Sequence, residues 1–116
     1  MRMNTEISVV AGTPVNAAAA LGLPPERKAN RVFAQMKEGG AGVGYVMDGI
    51  KNGRTPDATK AIDVTAVLAA SPDATTPGGE YRDSDPRTSA GILLDELWFD
   101  GGNSGDKIRL SVDLNV

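Results

Sequence analysis

Hydrophobic and polar positions alternate most regularly near the end of the chain. There Ile108, Leu110, Val112 and Leu114 are interleaved with Lys107, Arg109, Ser111 and Asp113. A period of two belongs to a half-buried β-strand, because successive side chains point to opposite faces of the sheet. Upstream, Ile92 to Phe99 is an apolar run that holds the single Trp, Trp98, and Asp100-Gly-Gly-Asn-Ser-Gly-Asp106 joins the two runs. The pattern predicts a strand, a tight turn and a strand, with the four apolar residues pointing inward beside Trp98 or its neighbours.

The same reading extends along the chain. Ile7 and Val9 predict a short first strand, ended by Ala11-Gly-Thr-Pro14. Val15 to Ala20 suits either a second strand or one helical turn, since Ala favours helix and Pro14 fits a first turn; the strand is preferred. Leu23 to Lys28 is a loop, because neither of its prolines can donate to a ladder. Arg31 to Lys37 alternates, with Val32, Ala34 and Met36 opposite Phe33 and Gln35. The glycine-bearing turn Glu38–Gly42 and the return run Val43–Met47 then give a hairpin signal. After a polar connection over 48–60, Ile62, Val64, Ala66 and Leu68 form one face of a further strand, with Asp63, Thr65 and Val67 on the other.

Ser71 to Ala90 carries Pro72, Pro77, Pro86, Gly78 and Gly79 and shows no periodicity. Loops of this length in compact domains are commonly functional or unstructured. The whole pattern predicts an all-β fold: one β-sandwich or jelly-roll-like domain over residues 1–116. It would hold roughly seven or eight short antiparallel strands with one long loop or arm over 71–90. There is no internal repeat.

Composition changes the picture mainly by exclusion. The 116 residues suffice for one domain, and aromatics are only 4%, so the core leans on small aliphatic side chains. With 12 basic and 15 acidic residues well mixed, there is no basic stripe to track nucleic acid. The chain has no Cys and no His, which removes disulfides, thiolate nucleophiles, structural zinc and Ser-His-Asp catalysis. Met1 to Ile7 lacks the apolar segment of a signal peptide, and Ala17 to Leu23 is too short to span a bilayer, so no membrane partner is expected.

Three local patterns invite chemistry and fail on spacing. Gly44 and Gly49 have P-loop spacing, but Ile50 stands before Lys51, and Met47 occupies the third glycine of a dinucleotide fingerprint. Asp100 to Asp106 resembles a calcium loop only at Gly105; Gly102, Ser104 and Ser111 stand at the third, fifth and twelfth positions, where ligands belong. Asp95 and Glu96 are adjacent and on a strand would face opposite ways. Asp83 and Asp85 have Arg82 and Arg87 beside them as ion-pair partners. No catalytic, cofactor-binding or metal-ligating residue is therefore assigned. Trp98 reads as a core or interface residue before a sugar platform.

A resemblance adds to these residues. Val10-Ala-Gly-Thr-Pro-Val15, Arg31-Val-Phe-Ala-Gln35 with Gly42-Val-Gly-Tyr-Val46, and Leu97-Trp-Phe-Asp-Gly101 with Gly105-Asp-Lys-Ile-Arg-Leu-Ser111 look like small β-sandwich proteins of tailed-phage virions. The type they resemble is the head decoration, or cement, protein of the capsid exterior. That resemblance implies a non-enzymatic structural protein, a homotrimer that bridges neighbouring capsomers and binds the major capsid protein. A tail-associated or carbohydrate-binding adhesion module is the rival, and a small carboxylate hydrolase is a weaker third reading. The candidate contact residues are Tyr81, Arg82, Asp83, Asp85 and Arg87. A tyrosine offers a rigid amphipathic anchor, and arginines form bidentate pairs with carboxylates.

Overall fold

Nine strands and one short helix make two antiparallel sheets in a computed structural model that describes residues 1–49, 55–84 and 91–114. The strands are β1 Arg2–Ser8, β2 Val15–Asn16, β3 Lys28–Met36, β4 Gly44–Asp48, β5 Val64–Leu68, β6 Glu80–Ser84, β7 Ile92–Leu93, β8 Leu97–Gly101 and β9 Lys107–Leu114, with helix α1 at Ala17–Ala20. The first sheet runs β1-β9-β3-β6, with β7 also paired to β3; the second runs β2-β8-β4-β5. The all-β sandwich is the fold of this chain.

The alternating pattern sets the core. Ile108, Leu110, Val112 and Leu114 are buried on one side of β9, and Val32, Ala34 and Met36 on the matching side of β3. They meet Val46, Leu68, Leu97 and Phe99 of the second sheet. The core aromatic is thus Phe99, while Trp98 lies half-buried on the outer face, against Gly49. β1 starts earlier than Ile7 suggests, because Met3 and Thr5 continue its inward parity. Ile62 falls outside β5, in a 3₁₀ turn over Ala61–Asp63, and is exposed.

Val15 to Ala20 satisfies both readings in turn: two residues of strand, then one turn of helix. Asn16 makes the switch. Its Oδ1 accepts from the Ala19 N–H at 3.1 Å, capping the helix, and its Nδ2 donates to the Asp95 carbonyl at 2.7 Å. Asp95 and Glu96 belong to a second 3₁₀ turn, Leu94–Glu96, rather than to a strand.

The hairpin expectation is corrected. β3 and β4 lie in different sheets, and so do β8 and β9. Each intervening turn is long enough to carry the chain across the roughly 10 Å between packed sheets, which a two-residue hairpin turn cannot do. The two crossings lie side by side: Asp106 Oδ2 accepts from the Gly42 N–H at 2.8 Å, and the Gly102 N–H donates to the Val43 carbonyl at 3.0 Å. Gly39 and Gly105 adopt positive φ, whereas Gly40 and Gly42 are small because Asp106 and Asn103 leave no room for a Cβ.

The expectation of one long loop or arm over 71–90 changes in its described part, 71–84. Asp73 Oδ1 accepts from the Thr75 N–H at 2.9 Å and the Thr76 N–H at 2.7 Å, which folds this segment on itself. Ser71 Oγ accepts from the Gly39 N–H at 3.0 Å and ties it to the β3–β4 crossing. Residues 80–84 are strand β6. β7 lies along the same side of β3 as β6, with Ser84 opposite Arg31 and Ile92 opposite Ala29. β6 and β7 both pair with β3.

Candidate functional site

The candidate contact residues fall on that edge. Within β6, Tyr81 lies opposite Ala34 and packs against the core, half-buried, and its hydroxyl donates to Asp83 Oδ2 at 3.3 Å. Burial, and then the negative charge of Asp83, push the Tyr81 phenol above its ordinary value. Arg82 points the other way. Its guanidinium carbon sits 4.6 Å from the centre of the Phe33 ring, and Nε donates to Glu80 Oε1 at 3.0 Å. The strand's parity therefore splits the expected patch, with Tyr81 and Asp83 on one side and Arg82 on the other. Asp85 and Arg87 lie outside the described residues.

Arg82 borders a groove on the outer face of the first sheet, with a volume of about 620 Å³. Its walls include Arg2, Arg31, Phe33, Arg82, Ser111 and Asp113. Register explains the grouping. Arg31, Asp113 and Arg2 stand in one cross-strand row over β3, β9 and β1, and Arg82, Phe33, Ser111 and Asn4 stand in the next. Arg2 Nε is 3.3 Å from Asp113 Oδ1, and Ser111 Oγ donates to Asn4 Oδ1. Arg31 makes no ion pair among the described residues. The groove thus combines Phe33 with three guanidinium groups and the carboxylates of Asp83 and Asp113. Arg2 is paired with Asp113 and Arg82 with Glu80, so Arg31 is the guanidinium best placed to take a partner's carboxylate in two parallel hydrogen bonds.

Arg2, Arg31, Phe33, Ser111 and Asp113 escape the sequence reading as site residues. The parity of β3 and β9 does put Arg31, Phe33, Ser111 and Asp113 on an outward face. What the sequence cannot supply is the sheet order that sets β6 beside β3.

A second cleft, of about 530 Å³, opens on the outer face of the other sheet between Tyr45, Asp100, Pro14 and the segment 55–59. Tyr45 is opposite Asp100 in the ladder. Asp100 is only 3% exposed, and its Oδ1 accepts from the Gly101 N–H at 2.8 Å. The covering segment is held by Asp63, whose Oδ2 accepts from the Asp57 N–H at 2.8 Å. Among the described residues no group of three or more acidic side chains gathers as a metal site, and no helix is long and apolar enough to cross a membrane. Compared with known protein families and with curated proteins, the chain matches none.

Proposed function

We propose that this chain is a non-enzymatic virion structural protein that binds the exterior of a phage capsid as a decoration, or cement, protein. The observation that carries the reading is the edge strand β6 beside a groove of three arginines on an aromatic floor. A shell protein offers carboxylates on exposed loops, and a rigid sheet face can hold them without ordering a loop first. That preorganisation lowers the entropic cost of binding. The major capsid protein is the partner in this reading, and the resemblance of the sequence to decoration proteins supports it.

The test is co-sedimentation with phage heads that lack their own decoration protein. The wild type should pellet with the heads. An Arg31→Glu, Arg82→Glu double variant should keep its fold and remain in the supernatant. Undiminished binding by that variant removes the groove from the contact.

The adhesion reading draws on a different observation, the cleft that sets Tyr45 beside the buried Asp100. Aromatic faces and carboxylates are the groups that hold sugars, by stacking and by hydrogen bonds to hydroxyls. Glycan-array binding that is lost in Tyr45→Ala would favour a tail-associated module over the decoration protein.

A further inference from the structure

We infer that β1 is a self-association edge, along which two copies pair antiparallel about a two-fold axis, with Asn4 opposite the partner's Asn4 and Arg2 opposite the partner's Glu6. The edge shares Arg2 with the shell-binding groove but rests on the backbone and charges of β1, and it gives a two-fold pair where the resemblance implies a three-fold one.

The backbone makes the edge available. The Val9 N–H donates to the Asp106 carbonyl and the Leu114 N–H to the Met1 carbonyl, each at 2.8 Å, so the odd-numbered residues of this strand bond inward to β9. In an antiparallel ladder the alternate residues then direct their N–H and C=O groups outward. Arg2, Asn4, Glu6 and Ser8 are those residues, all four are exposed, and none of their amides has a partner among the described residues.

Natural sheets guard such edges with bulges, prolines, inward charges or short strands. Over Arg2–Ser8 β1 has no bulge, proline or inward charge: its register with β9 is unbroken, its inward side chains are Met3, Thr5 and Ile7, and the charges it does carry, Arg2 and Glu6, are outward and of opposite sign. The other edges differ. The edge beside β3 is shared between β6 and the two-residue β7, β2 is two residues long, and β5 pairs with β4 through a register shift.

Charge selects both the occupant and the register. A two-fold axis through Asn4 sets Arg2 against the partner's Glu6 twice, on the outer face of the joined sheet. Arg2 then stands between Asp113 of its own chain and the partner's Glu6, and Glu6 between Lys37 and the partner's Arg2. The row reads Arg31, Asp113, Arg2, the partner's Glu6, the partner's Arg109, alternating in sign throughout. Shifting the axis to Thr5 keeps the faces correct but sets Arg2 against Ser8 and Glu6 against Asn4, which forfeits both charge pairs. Opposite charges directly across a ladder attract and like charges repel.

The experiment is sedimentation velocity over a concentration series, with circular dichroism to confirm the fold of each chain. The wild type should reach twice the chain mass. Arg2→Glu and Glu6→Arg should each weaken the pair by about tenfold or more, because like charges then face each other twice. Mixed together, those two variants should form a one-to-one heterodimer, since both charge pairs across the interface become complementary again. Asn4→Pro should stay folded and monomeric, because it removes an outward amide that the single chain does not use. A wild type that is monomeric or trimeric throughout, or variants that fail to re-pair on mixing, would overturn the inference.

Discussion

Asp106 Oδ2 accepts a hydrogen bond from the Gly42 N–H at 2.8 Å, and this contact, with the Gly102 N–H bond to the Val43 carbonyl, fastens the β3–β4 crossing to the β8–β9 crossing. Both crossings transfer the chain between sheets, so the bond helps set how the two layers sit together. Gly40 is packed against the same carboxylate. Asp106→Ala should therefore cost about 1–3 kcal/mol, the range for losing a charged acceptor and leaving an amide unpaired. In a domain near this size each kcal/mol lowers Tm by about 4 °C or more. Asp106→Asn keeps an acceptor and should fall between the two in thermal melts.

The interior of β9 should be the least tolerant stretch of the molecule. Leu110 is 1% exposed and lies between β1 and β3, opposite Thr5 and Ala34. Leu110→Ala should destabilise by about 2–5 kcal/mol through lost transfer energy and the cavity left behind. Leu110→Asp should prevent folding, because its carboxylate would be buried without a partner. Arg109→Ala, one residue away on the outer face, should cost about 1 kcal/mol or less, since its ion pair with Glu38 is partly open to solvent. Chemical denaturation of the three variants checks the order, and equal losses at 109 and 110 would contradict the register.

Stability should fall on acidification. The Lys37 ammonium beside Glu6 holds that carboxyl below its ordinary value of 4.5. Glu38 is lowered by a hydrogen bond from its own backbone N–H and then by Arg109. Asp73 is lowered below 3.8 by the Thr75 N–H and then by Thr76. A depressed folded value means that the unfolded chain binds protons more readily. The stabilisation is therefore present above the ordinary carboxylate values and is lost as pH falls through the lower folded ones. Tm measured from neutral pH down to about 3 should drop through that window. A Glu6→Gln, Glu38→Gln, Asp73→Asn variant should show a shallower drop, and an unchanged slope would mean that these carboxylates do not carry the effect.

The local reading of the chain succeeded where parity alone decides. Val32, Ala34 and Met36 on one side and the four apolar residues of β9 on theirs need no knowledge of neighbours. It failed where the answer depends on which strand lies next to which. The Glu38–Gly42 turn has hairpin chemistry, yet a Gly-rich turn serves equally to cross between sheets, and the contact that decides, Asp106 on Gly42, spans 64 residues of sequence. β6 has no apolar alternation because it is an edge strand: Tyr81 alone anchors it, and Glu80, Arg82, Asp83 and Ser84 are exposed. The groove was hidden for the same reason, since Arg2, Arg31 and Arg82 come from three strands that meet only through β9 and β3.

The proposal that the chain coats a phage shell is tested most directly by imaging purified particles by electron cryo-microscopy, with the chain quantified against the major shell protein. The account predicts density on the outer surface of the head, at a fixed ratio to the shell protein, with the β6 edge and its arginine groove turned toward the capsid. A chain found at a few copies on the tail, or left free while heads remain bare, would contradict it.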